Sequence, residues 1–78
     1  MIKGATYGAG LTALSTTDLE RLLRALHRGM LRVPVGPAEL HMAGLSYLVD
    51  KVDFFRGLDE RAVRAVLVAV LAERRKNA

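Results

Sequence analysis

The stretch DERAVRAVLVAVLAERR, residues 59–75, is apolar around most of a helical circumference. At 100° per residue, Val63, Val66, Leu67, Val70 and Leu71 form a broad bulky face, and Ala62, Ala65, Ala69 and Ala72 form a separate stripe about a third of a turn away. Only the arc with Arg61, Arg64, Val68 and Arg75 looks solvated. Asp59 reads as the N-cap and Glu60 adds negative charge to the first turn. Arg74, Arg75 and Lys76 add positive charge to the last, as the helix dipole prefers. The near-apolar run Ala62 to Ala72 is about half of the ~20 residues that span a bilayer, so the sequence predicts a core helix and no membrane partner. Its bulky face belongs to the chain's own core. Its alanine stripe allows close approach of either the preceding helix or a second chain.

Upstream, Leu45, Leu48, Val49, Val52 and Phe55 recur at helical spacing, which predicts a third helix from about Leu45 or Ser46 to Phe55, with Gly57 as its terminator. Pro37 suits the first position of a short second helix, Ala38 to Ala43, that stops before Gly44. Between Met30 and Gly36, Leu31, Val33 and Val35 alternate with Arg32 and Pro34. With no second alternating run to pair with, this segment reads as an extended connector laying three apolar side chains on the core.

The first helix, about Asp18 to Arg28, is signalled by Thr17 and Glu20 as a capping box and by Leu19, Leu22, Leu23 and Leu26 at i, i+3, i+4 and i+7. Gly29 is its left-handed stop. Residues 1–14, with Gly4, Gly8 and Gly10 among small residues, read as a flexible or extended arm that docks through Tyr7 and Leu11. The expectation is therefore an all-α domain over residues 15–78, a compact bundle of about four helices with a short second helix and a long C-terminal one.

Composition narrows the class further. The 78 residues allow one domain, which buries roughly 60–65% of the surface of its unfolded chain. No cysteine is present to staple it, and self-association is the remaining common device. The absence of cysteine and of a continuous apolar leader in Met1-Ile2-Lys3-Gly4 fits a cytoplasmic protein. Twelve basic residues against eight acidic ones give +4, a balance that permits an acidic or nucleic-acid partner without requiring one.

Two surfaces stand out. On the first helix Arg21, Arg24 and Arg28 lie almost opposite the leucines; such a stripe is an ordinary solvated face or, continued by Arg32 and the tail Arg74, Arg75 and Lys76, a nucleic-acid contact. On the third predicted helix Tyr47, Lys51 and Phe54 recur at i, i+4 and i+7 away from its apolar face, leaving two aromatics to be covered by the arm, the last helix or a partner. Residues 37–55 invite comparison with a helix-turn-helix. The position six residues beyond Gly44, normally apolar, is Asp50, and Asp53 would also repel phosphate.

Chemistry is not indicated. His27 and His41 lack a second ligand at i+3 or i+4, the glycines of the arm fit no phosphate-loop spacing, and Ser15 and Ser46 have no nucleophile setting. We expect no enzymatic activity, no cofactor and no metal. Several short helices closed by a long one resemble, in layout alone, small interaction domains of the sterile-alpha-motif type; no motif is shared and the likeness implies no function. The leading expectation is a self-assembly or protein–protein interaction module, a homodimer or higher, with Tyr47, Lys51, Phe54, Ala62, Ala65, Val68, Ala69 and Ala72 as interface residues. The alternative is a nucleic-acid-binding regulator or accessory protein that uses the arginine stripe.

Overall fold

The structure of the protein, a computed structural model, describes residues 13–52, 55 and 57–77. Among them are three α-helices, α1 (Thr16–His27), α2 (Pro37–Met42) and α3 (Glu60–Lys76), a 3₁₀ turn at Ser46–Leu48, and no strand. The expected arm falls almost wholly on residues 1–12, which lie outside the described residues.

The ends of α1 follow from local chemistry. Ser15, in an extended conformation, accepts a hydrogen bond on its hydroxyl from the Asp18 amide at 3.1 Å. The cap is thus Ser15 and not Thr17, which lies inside the helix. A hydrophobic staple accounts for the choice: with Ser15 as N-cap, the flanking positions are Leu14 and Leu19, both buried in the core, whereas a Thr17 cap would be preceded by exposed Thr16. At the other end Gly29 has φ 72°. Its amide donates to the Leu26 carbonyl at 3.1 Å and the Met30 amide to the Ala25 carbonyl at 2.8 Å, the paired bonds of a Schellman stop. The same pair recurs after α2, from Gly44 to His41 and from Leu45 to Leu40.

The predicted third helix does not form as an α-helix. After the turn at Ser46–Leu48 the described backbone continues in three-residue steps, with amides donating from Leu48 to Leu45, Val49 to Ser46, Lys51 to Leu48, Phe55 to Val52 and Leu58 to Phe55. Leu45, Leu48, Val52 and Phe55 are buried as expected, but Val49 is 37% exposed. Sequence and geometry explain this outcome together. Asp and the β-branched and aromatic residues that crowd this segment are indifferent helix formers. Over so short a segment the tighter i→i+3 winding still brings Leu45, Leu48, Val52 and Phe55 into the core. Among the described residues there are consequently three α-helices where about four were expected, and Tyr47 and Lys51 share no α-helical face. Phe54 itself lies outside the described residues.

One hydrophobic core joins every element. Leu19, Leu22, Ala25 and Leu26 of α1 meet Val63, Leu67 and Leu71 of α3, with Leu40 of α2 and the buried residues of the 45–55 segment closing the sides. The connector behaves as expected: Leu31 and Val35 are buried and Val33 is partly buried against the core. No polar or charged residue is buried among the described residues, so each fully buried Leu, Val or Phe contributes its roughly 1.5–3 kcal/mol without an offsetting desolvated charge.

Candidate interaction surfaces

The long helix α3 is held by the core along one side only. Val63, Leu67 and Leu71 are buried, Val66 and Val70 are half-buried against the core, and Ala62 is half-buried at the edge. Ala65, Ala69 and Ala72 are exposed, and Val68 beside them keeps 47% of its surface accessible. The result is a low apolar strip along about two turns of helix, roughly 10 Å. Arg61 and Arg64 border it, and Arg64 donates to Glu60 at 2.9 Å one turn away.

A second surface lies where α1 meets the turn after α2. Arg21, Arg24 and Arg28 form one wall of an open groove of about 280 Å³, and Ala43, Gly44, Leu45 and Tyr47 form the other, with Ala25 and Met30 also lining it. Tyr47 is 52% exposed, but its hydroxyl is engaged: it accepts from Arg21 Nη1 at 2.9 Å and donates to Asp18 Oδ1 at 2.9 Å. Arg21 also lies 3.7 Å from Asp18. The Tyr47 hydrogen bond, with a smaller contribution from Asp18, holds the Arg21 proton more firmly than in an ordinary arginine. Tyr47 therefore lines the arginine groove. Arg24 and Arg28 are exposed, and among the described residues neither ion-pairs nor hydrogen-bonds through its side chain with another residue.

The remaining cations are dispersed. Arg32 lines an adjoining groove of about 380 Å³ together with Glu39. Arg74 donates to Thr16 Oγ1 at 3.3 Å and Arg75 lies 3.9 Å from Glu20, so both tail arginines sit beside the start of α1. Lys76 is exposed. His27 is exposed at the end of α1, and His41 Nδ1 is 3.1 Å from Ser46 Oγ, a link between α2 and the 3₁₀ turn. Among the described residues no three His, Asp or Glu side chains converge as a metal site, and no helix is long and apolar enough to cross a membrane.

Two exposed side chains on these grooves, Met30 (52%) and Met42 (79%), escape a reading by helical period. Met30 follows the Gly29 stop, and Met42 ends a helix of fewer than two turns. The available signal was the two methionines themselves, placed beside glycine stops where the chain turns at the surface.

No protein family, curated protein or solved structure matches the chain.

Proposed function

We propose that this protein is a non-enzymatic, cytoplasmic self-assembly module that joins a second copy of itself through the outward strip of α3. The observation that carries this reading is the exposure of Val68 in line with Ala65, Ala69 and Ala72, on a helix whose opposite side is core. Small side chains let two helix backbones approach closely, and a paired helix supplies apolar burial that a chain of this size otherwise lacks. Arg61, Arg64 and Arg75 flank the strip on the Val68 side, and Arg64 is already paired with Glu60.

A nucleic-acid role draws less support. Of the seven cations that the stripe-and-tail reading joins, Arg21, Arg74 and Arg75 already have partners within the chain, and the tail lies at the opposite end of α1 from Arg32. Light scattering after size exclusion, over a wide range of protein concentration, tests self-assembly. A native mass of two or more subunits is expected; a monomer throughout overturns the reading.

A further inference from the structure

Three of the five large hydrophobic side chains exposed among the described residues, Met30, Met42 and Tyr47, border the two grooves beside α1, which share Met30 as a common wall. The same surface carries Arg24 and Arg28, which have no side-chain partner among the described residues, and Arg21 held in place by Tyr47. A purely electrostatic track has no use for exposed methionine. Methionine, tyrosine and arginine together are the residues enriched where proteins meet, with the thioethers adapting to apolar anchors and the guanidinium forks gripping carboxylates.

We propose that this joined groove is the docking site for an acidic, amphipathic segment of another protein, one that sets Leu- or Phe-type anchors against Met30 and Met42 and carboxylates against Arg24 and Arg28. The chain does not supply that occupant itself. Residues 1–12 contain no acidic residue, and the only adjacent acids in the sequence, Asp59 and Glu60, start α3, where Asp59 caps the helix and Glu60 pairs with Arg64. The site is separate from the α3 strip, so it stands or fails independently of self-assembly.

The test is a nuclear magnetic resonance titration of the isotope-labelled protein with three probes: a peptide of roughly a dozen residues alternating Glu or Asp with Leu or Phe, the same peptide with Ser replacing its apolar residues, and a single-stranded oligonucleotide of similar length. The expected result is saturable amide shifts confined to the surroundings of Arg24, Arg28, Met30 and Tyr47, for the first peptide. Its affinity should fall at least about fivefold for the Ser peptide and for each of Arg28→Ala and Met30→Ser, while Arg61→Ala, outside the groove, changes nothing. Met30 and Arg28 are exposed, so these substitutions leave the fold intact. Absence of saturable shifts overturns the proposal. So does tighter binding of the oligonucleotide with no effect of Met30→Ser, which would assign the groove to phosphate.

Discussion

At the scale of single residues, the start of α1 shows how a local ambiguity is resolved. Ser15 with Asp18 and Thr17 with Glu20 are both acceptable cap pairs, and they lie only two residues apart. Leu14 decides between them, because its burial pins the chain in the path that makes Ser15 the cap. Ser15→Ala should therefore cost about 1 kcal/mol of stability in urea unfolding, and Thr17→Ala, an exposed position inside the helix, less than about 0.5 kcal/mol. Equal losses would mean that the helix starts later. Tyr47 carries the same lesson. Its phenol was legible as a polar-tipped aromatic needing a partner, but Arg21 and Asp18 are distant in sequence and only the fold brings them to it.

At the scale of elements, the segment 45–55 separates period from conformation. Its apolar spacing correctly marks Leu45, Leu48, Val52 and Phe55 as core, yet it is compatible with both α and 3₁₀ winding over so short a length. Val49 distinguishes them. Leu48→Ala should cost about 2–5 kcal/mol, and Val49→Ala less than about 1 kcal/mol; in an α-helix both would be core losses. Helix α3 is long enough for its period to be unambiguous, and its bulky face meets the core as expected. Ala65, Ala69 and Ala72 of its alanine stripe are exposed, so Ala69→Glu should leave the thermal unfolding of the subunit intact while reducing the native mass to that of a monomer. A variant that unfolds instead would place Ala69 inside the subunit core.

At the scale of the whole molecule, the core is apolar and the ion pairs are external. Arg64 with Glu60 and Arg75 with Glu20 join substantially exposed side chains, and Arg21 is exposed although its partner Asp18 is half-buried; such pairs are screened by salt. Raising ionic strength should therefore change the unfolding midpoint by only about 2–3 °C; a large fall would point to charge as a principal source of stability. The proposed self-assembly predicts a second signature, a midpoint that rises with protein concentration, which is the mark of subunits that unfold from an oligomer.

The sequence by itself determined the features that depend on neighbours along the chain. The two strongly periodic helices, the glycine stops at Gly29 and Gly44, the proline start of α2 and the apolar connector are each governed by bonds or packing periods within a few residues. Tertiary structure decided what depends on distant partners. It wound residues 45–52 into three-residue turns, turned Tyr47 onto Arg21, gathered Arg21, Arg24 and Arg28 with Met30 into a groove, and left Ala65, Ala69 and Ala72 of α3 outside the core. Helical period states which side chains share a face. It does not state which face another element covers, because that is set by the total apolar surface all elements bury together.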